Sequence, residues 1–231
     1  MRAITNEPRI ARGARLGKIA TFAGLGFLVG GLIISLVTQG SPLLWLSLVC
    51  LALGLLVSSI GTFNMNRWVR EPRADQALAQ GLKGFDDRYQ LYNYFLPAPH
   101  VLLGPTGLYV LTAMGQDGVI RCEGDKYRRD FSVGRVFRFM ADEGLGKPFV
   151  EGNQQVGALK EYLEAHEIDQ DVQIQNVLVF YNPRAQLVLS DPSRPVVIPK
   201  ALKRAIRKKS DAPLSSARYA QLEELFERES G

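Results

Sequence analysis

Two long apolar stretches near the start of the chain dominate its pattern of hydrophobic and polar positions. Residues 19–37 and residues 43–60 contain no charged side chain. Each stretch is close to the roughly 20 residues that cross a bilayer core of about 30 Å. Only residues 38–42, a polar turn that contains Gly and Pro, separate the two stretches. We therefore predict a two-helix transmembrane hairpin over residues 19–60.

Two other interpretations of these stretches carry less weight. Basic residues precede the first stretch, as they do in a signal peptide. Its far end, however, lacks small residues at cleavage spacing, and the second stretch follows at once. Two buried core helices of a water-soluble protein would rarely run this long without a charge. The hairpin is therefore the better prediction.

Basic residues flank the predicted hairpin on one side only. Five lie before the first span, three follow the second, and the connecting loop carries none. They are Arg2, Arg9, Arg12, Arg15 and Lys18, then Arg67, Arg70 and Arg73. Because cytoplasmic flanks carry an excess of Lys and Arg, we expect both termini to lie in the cytoplasm. We expect an integral protein of a prokaryotic plasma membrane.

The residues outside the hairpin divide into three segments. Residues 1–18 are predicted to be a basic cytoplasmic N-terminus, and residues 61–73 a juxtamembrane linker that includes Pro72. Residues 74–231 are predicted to be one cytoplasmic domain of ordinary size.

Alternating and apolar runs in residues 74–231 predict both strands and helices. The predicted strands are 88–95, 100–103, 108–113, 119–122, 126–131, 177–181, 187–189 and 196–198, and the predicted helices are 75–82, 153–166, 199–208 and 215–229. Residues 88–131 indicate a β-meander in which Asp117-Gly118 forms a hairpin turn. Residues 177–181 have the continuous apolar character of a central strand buried on both faces. The fold class is therefore α/β, with a mixed sheet flanked by helices.

The stretch PAPHVLLGPTGLYVLTAMGQDG, residues 97–118, resembles the nuclease-related (NERD) family of the restriction-endonuclease-like superfamily. The resemblance covers about residues 75–209 and implies a restriction-endonuclease-like sheet after the hairpin. It also implies an acidic residue directly before His100. In the next strand it implies a second acidic residue, followed two positions later by Lys. The corresponding positions here are Pro99, Thr112 and Met114. Members also carry a Gln in the helix after the meander, matched by Gln154 or Gln155.

The changed positions remove the chemistry of a metal-dependent nuclease. Such an enzyme needs carboxylate oxygens that converge on divalent cations, and Pro99 and Met114 have no side-chain oxygen while Thr112 has only a neutral hydroxyl. We expect no catalytic residue, no metal site and no cofactor. Asp117 is the candidate substitute ligand, and only an active nuclease that used it would need Mg²⁺.

The remaining candidates for chemistry have simpler interpretations. His100 is interpreted as a packing residue, because its motif holds no acid or nucleophile. The acids Glu123, Asp125 and Asp130 are interpreted as solvated surface charges. Two cysteines and two histidines are too few and too scattered for a structural zinc site.

One basic run outside the membrane flanks could contact phosphates. It consists of Lys200, Lys203, Arg204, Arg207, Lys208 and Lys209, with Leu202 and Ile206 on the other side of a predicted helix. Three interpretations stay open: binding to nucleic acid, binding to anionic lipid, or a solvated face balanced by the acids of residues 223–227. The formal net charge of +5 does not decide among them. Five of the 28 basic residues, but only one of the 23 acids, lie in the first 18 positions.

The sequence thus favours a membrane-anchored, catalytically inactive interaction module, with nucleic acid as a candidate ligand. The alternatives are an active nuclease with relocated ligands and a membrane scaffold for unidentified protein partners.

Within the hairpin, Gly26 and Gly30 form a small-xxx-small pattern. We expect it to pack against Ser47 and Gly54 rather than to drive dimerisation.

Overall fold

The chain forms two compact units in the computed structural model. The described residues are 1–38, 41, 44–130, 144–168, 172–208 and 213–230. The hairpin unit comprises residues 7–73, and the α/β domain comprises residues 1–6 with the described residues from 74 onward. Lys209 of the predicted basic run and most of the predicted loop 38–42 lie outside the described residues.

The hairpin unit consists of two helices that are longer than the predicted spans. Helix α1 is Glu7–Val37 and helix α2 is Leu44–Trp68. Both are long and apolar enough to cross a membrane. Helix α1 includes the first predicted apolar stretch, α2 includes the second from Leu44 onward, and both helices extend beyond these stretches. Four of the five basic residues before the first span, Arg9 to Lys18, lie in α1, and most of the predicted linker lies in α2. Arg2 does not belong to the hairpin.

The hairpin unit buries small residues and exposes large apolar ones. Apart from Ile10, the buried residues of α1 and α2 are Gly17, Ala20, Gly24, Gly31, Ser47, Gly54 and Gly61. By contrast, Phe22 is 73% exposed and Leu56 is 64% exposed. Helices in the core of a water-soluble protein bury their large apolar side chains. The hairpin shows the reverse, which is typical of helix pairs that pack through small residues inside a bilayer.

The small-xxx-small prediction was correct for α2 and wrong for α1. Ser47 and Gly54 do lie in the helix–helix interface. A Cβ added at Gly26 or Gly30, however, would meet no atom within 4 Å. Gly17, Gly24 and Gly31 take the interface instead, because residues seven apart keep nearly the same face of a helix.

The larger sheet of the α/β domain has six strands in the order β1-β2-β3-β4-β7-β9. These strands are Arg2–Thr5, Gln90–Asn93, His100–Gly104, Gly107–Met114, Ile174–Phe180 and Val196–Val197. Strands β2, β3 and β4 are antiparallel, whereas β1, β7 and β9 run parallel to their neighbours. The mixed sheet agrees with the prediction.

Strand β1 corrects the prediction that residues 1–18 are a separate basic segment. Arg2–Thr5 pairs in parallel with Gln90–Asn93 at the edge of the large sheet. Edge pairing uses backbone groups, so it leaves little trace in the pattern of apolar side chains. The start of the chain therefore belongs to the α/β domain.

The smaller sheet has the order β6-β5-β8 and corrects the predicted meander. Its strands are Lys126–Arg129, Gly118–Glu123 and Ala185–Ser190. We expected Asp117-Gly118 to turn the chain back along β4, but β5 lies in a different sheet. Both edges of β4 are already occupied, by β3 and by β7, so no edge is left for β5.

Helices cover both faces of the large sheet. In the described residues the other helices are α3 (Ala74–Gly81), α4 (Pro148–Ala165), α5 (Pro199–Lys208) and α6 (Ser216–Ser230). Helices α4 and α6 pack with Val110 in one buried cluster, whereas α3 and α5 pack with Tyr109 and Leu111 in another. Because alternate residues of a strand point to opposite faces, α5 and α6 lie on opposite sides of the sheet. The acids of residues 223–227 therefore do not balance the basic helix.

Strand β7 confirms the prediction of a central strand. It lies between β4 and β9. Its residues Val177 to Phe180 are all at most 1% exposed. Successive side chains enter clusters on opposite faces, so both faces are covered.

Candidate functional site

A hydrogen-bonded network of neutral side chains surrounds Thr112, one of the positions where the resemblance implies an acid. Thr112 is fully buried. Its hydroxyl donates to Gln155 Oε1 at 2.9 Å and accepts from Asn176 Nδ2, also at 2.9 Å. Asn176 donates in addition to the carbonyl of Val110 at 3.1 Å. Adjacent strands β4 and β7 and the overlying helix α4 thus converge on a neutral hydroxyl.

Arg194 adds a permanent positive charge to this network. Its Nη1 donates to Asn176 Oδ1 at 2.7 Å, and its Nη2 donates to Asn153 Oδ1 at 2.8 Å. The guanidinium carbon lies 4.0 Å from the centre of the Phe149 ring, at cation–π distance. Arginine stays protonated in proteins. The network joins this fixed cation to neutral oxygens, and Gln155 Nε2 also donates to the carboxylate of the exposed Glu151 at 3.3 Å. The fixed positive charge makes the network an unfavourable environment for Mg²⁺.

Gly152 provides the space for the contact between Arg194 and Asn176, and replacing it by alanine tests the network. A Cβ there would lie 2.5 Å from Asn176 Oδ1 and 2.9 Å from Arg194 Nη1. We expect Gly152→Ala to destabilise the domain by about 1–3 kcal/mol, the usual cost of overpacking. Denaturant unfolding of the full chain in detergent measures the change.

The control for this prediction is Gly157→Ala in the same helix. A Cβ at Gly157 would meet nothing within 4 Å. This variant should gain up to about 1 kcal/mol of stability, because alanine has a higher helix propensity than glycine. Equal stabilities of the two alanine variants would contradict the arrangement of Arg194 around Gly152.

The other two positions of the motif also lack metal ligands. Pro99 lies just before β3, and its carbonyl accepts a hydrogen bond from the Tyr94 amide at 2.7 Å. Continuing the register of Val101 with Val110 places position 99 opposite Thr112. Met114 is 3% exposed and packs in an apolar cluster. In the described part of the chain, no group of three or more His, Cys, Asp or Glu residues could hold a metal ion.

Asp117, the candidate substitute ligand, is engaged by two arginines. Its carboxylate forms an ion pair with Arg129, and Arg129 Nε donates to the Asp117 carbonyl at 2.7 Å. Arg184 Nη2 lies 3.8 Å from the other carboxylate oxygen. A divalent cation at Asp117 would have to compete with both guanidinium groups. The arrangement favours a structural ion pair at the start of β5.

The acids of the hairpin formed by β5 and β6 suit surface charges. Asp130 accepts hydrogen bonds from Arg121 at 2.9 and 3.0 Å. These bonds lower the pKa of the Asp130 carboxyl below its usual value. Asp125 accepts a hydrogen bond from Ser193, and both Asp125 and Glu123 are exposed.

His100 links three neighbouring strands of the large sheet. Its Nδ1 lies 2.8 Å from Asn93 Oδ1, and Asn93 Nδ2 donates to Thr5 Oγ1 at 3.0 Å. The imidazole also packs edge-on against Tyr94, with ring centres 4.8 Å apart. These contacts connect β3 through β2 to β1. They suit the packing role that the sequence favoured.

The structure divides the predicted basic run into two kinds of residue. Lys203 is half-buried, and its Nζ donates to the carbonyl of Gly84 at 2.7 Å. Lys200, Arg204, Arg207 and Lys208 are exposed. Among the residues that the structure describes, none of these four forms an ion pair. We call these four residues the basic face of α5.

Several residues of the Thr112 network were not predicted from the sequence. Asn176 directly precedes the predicted strand 177–181, and a polar residue next to the apolar run VLVFY could have signalled a buried contact. Arg194 lies between Pro192 and Pro195 in a segment without periodicity, so no local pattern pointed to it. Comparison with known proteins gives no match to any family model, curated protein or solved structure.

Proposed function

We propose that this chain is a membrane-anchored, catalytically inactive domain of the nuclease-related type that acts as an interaction module. The observation that carries the proposal is the environment of Thr112. Where a nuclease of this type would place a metal-binding acid, the chain has a neutral hydroxyl in a network that also holds the charged Arg194. A fixed guanidinium supplies positive charge without the water-activating chemistry of a metal. The domain keeps a polar site but lacks the means to cleave phosphodiesters.

Two features support the restriction-endonuclease-like assignment. The antiparallel strands β2, β3 and β4 are followed, through α4, by the parallel strand β7. Gln155 of α4, a position named by the resemblance, contacts Thr112. These features fit a nuclease scaffold whose acids have been replaced.

Strand pairing supports a topology in which both ends of the hairpin emerge on the same side of the membrane. Strand β1 directly precedes α1, β2 follows α2, and the two strands are hydrogen-bonded neighbours. Strands of one sheet cannot lie on opposite sides of a bilayer. Together with the basic flanks, this pairing supports our proposal that the α/β domain lies in the cytoplasm of a prokaryotic cell.

Thiol labelling tests this topology. We expect Ser41→Cys, in the connection between α1 and α2, to react with a membrane-impermeant maleimide in intact cells. The matched variant Ser216→Cys, exposed in the α/β domain, should react only after lysis. The unchanged chain gives the background from Cys50 and Cys122. Labelling of Ser216→Cys from outside would reverse the orientation.

A nuclease assay tests the absence of catalysis. We expect the purified full chain to show no cleavage of single- or double-stranded DNA with Mg²⁺ or Mn²⁺, because the described residues offer no carboxylate cluster. The Asp117→Ala variant is the control. Cleavage by the unchanged chain that this variant loses would support the alternative of an active nuclease with relocated ligands.

Phosphate-bearing molecules are the ligands that we propose for the module. Nucleic acid and anionic lipid both carry phosphates that the basic face of α5 could bind. A scaffold for protein partners is the alternative if neither binds.

A further inference from the structure

The basic face of α5 forms a compact cationic stripe. At 100° per residue, Arg204 points directly away from the midpoint of Leu202 and Ile206, which are both fully buried. Lys200, Arg207 and Lys208 lie within about 60° of Arg204 on the helix surface. From Lys200 to Lys208 the stripe extends about 12 Å along the axis. The buried side therefore orients all four charges outward.

Neighbouring contacts hold the stripe in place. Lys203 is bonded to the Gly84 carbonyl, and the Arg207 guanidinium carbon lies 5.4 Å from the centre of the Phe85 ring. A Cβ at Gly81 would lie only 2.5 Å from the Pro199 carbonyl, so α5 begins in tight contact with α3. Lys83, just after α3, is also exposed. The stripe is therefore a preformed surface attached to α3.

We infer that the basic face of α5 docks on anionic phospholipid headgroups of the membrane that holds α1 and α2. This inference rests on the proposed membrane anchoring. Only five residues separate Trp68, the end of α2, from Ala74, the start of α3. Such a segment spans at most about 20 Å. Residues 69–73 therefore act as a short tether. They keep the lipid surface at high effective concentration near α3 and near α5, which packs on α3.

The composition of α5 disfavours single-stranded nucleic acid, and its tether favours lipid over a duplex. Its residues are PKALKRAIRK, so the outward side chains are Lys and Arg with Ala between them. Binding of single strands uses aromatic side chains for stacking, and this helix has none. Duplex phosphates and a headgroup layer both require only positive charge. The short connection to α2 favours the headgroup layer, because it holds that layer close to α5.

Lysine footprinting of the full chain in nanodiscs tests the docking. An amine-reactive acetylating reagent followed by mass spectrometry measures the reaction rates of Lys200 and Lys208. We expect both to react at least about fivefold more slowly in discs that contain phosphatidylglycerol than in discs of phosphatidylcholine alone, given the attraction per basic residue near anionic lipid. At about 1 M salt, where the Debye length is about 3 Å, the difference should disappear.

Lys126 and Lys160 are internal controls, since both are exposed and lie on other elements. Their rates should not depend on the lipid. In the variant Arg204→Glu/Arg207→Glu, Lys200 and Lys208 should regain fast reaction in phosphatidylglycerol discs. If the chain is recovered together with both kinds of disc, α1 and α2 remain inserted. This result tests the proposed anchor separately from the docking of α5.

Two outcomes would overturn the inference. Equal rates for Lys200 and Lys208 in both kinds of disc would make the basic face a solvated surface. Protection by an added DNA or RNA oligonucleotide, without protection by phosphatidylglycerol, would make nucleic acid the ligand. Either result would leave the proposed anchor and the absence of catalysis intact.

Discussion

Replacing Val179 by aspartate is expected to unfold the α/β domain. Val179 is fully buried in β7, between β4 and β9. A carboxylate there would have no partner, and an uncompensated buried charge costs about 3–5 kcal/mol. The whole stability of a domain is only about 5–15 kcal/mol. We therefore expect the variant to lose most of its cooperative thermal unfolding transition, measured in detergent by circular dichroism.

The control makes the same substitution at an exposed strand position. Val188 lies in β8 and is 46% exposed, so Val188→Asp should unfold close to the unchanged chain. Burial raises the pKa of a carboxyl group. The Val179→Asp defect should therefore be smaller at low pH, where the group is protonated, than at neutral pH. Equal melting of the two aspartate variants would contradict the central position of β7.

Replacing Gly24 by leucine is expected to force α1 and α2 apart. A Cβ at Gly24 would lie 2.3 Å from Ser58 Oγ and 2.6 Å from the Ser58 amide nitrogen. Real Cβ atoms do not approach backbone this closely, so the helices must separate. Close packing is the main attraction between helices in a bilayer. We expect the helix pair to lose about 1–3 kcal/mol of stability or more. The loss should appear as a lower temperature of aggregation in detergent.

Two comparisons define this experiment. Gly61→Leu should be equally harmful, because a Cβ at Gly61 would lie 2.7 Å from the Thr21 amide nitrogen. Gly26→Leu and Gly30→Leu should be tolerated, because both positions face open space. If Gly26→Leu were as harmful as Gly24→Leu, the interface would lie on the other side of α1.

The sequence alone predicted which groups the candidate site lacks, but not which groups it contains. The sequence located Pro99, Thr112 and Met114 through a local motif and showed that no acid stands there. It did not show which side chains surround Thr112. The bonds from Thr112 to Asn176 and from Asn176 to Arg194 join residues 64 and 18 positions apart. No period of a strand or helix connects such positions.

The sequence by itself determined the elements whose signals are local. The absence of charge located the apolar parts of α1 and α2, the continuous apolar run located β7, and the spacing of Leu202 and Ile206 located α5. An uninterrupted apolar run is a local signal because an element covered on all sides carries apolar side chains throughout. The spacing in α5 is a local signal because one buried helix face repeats every 3.6 residues.

The tertiary structure alone decided which edges and faces meet. Strand β1 joined the sheet because β2 had an unoccupied edge, and β5 left β4 because both edges of β4 were taken. In the hairpin, Gly24 rather than Gly26 met α2, although both are glycines in one apolar run. Each choice depends on a partner distant in sequence, and pairing with that partner is a property of the assembled chain.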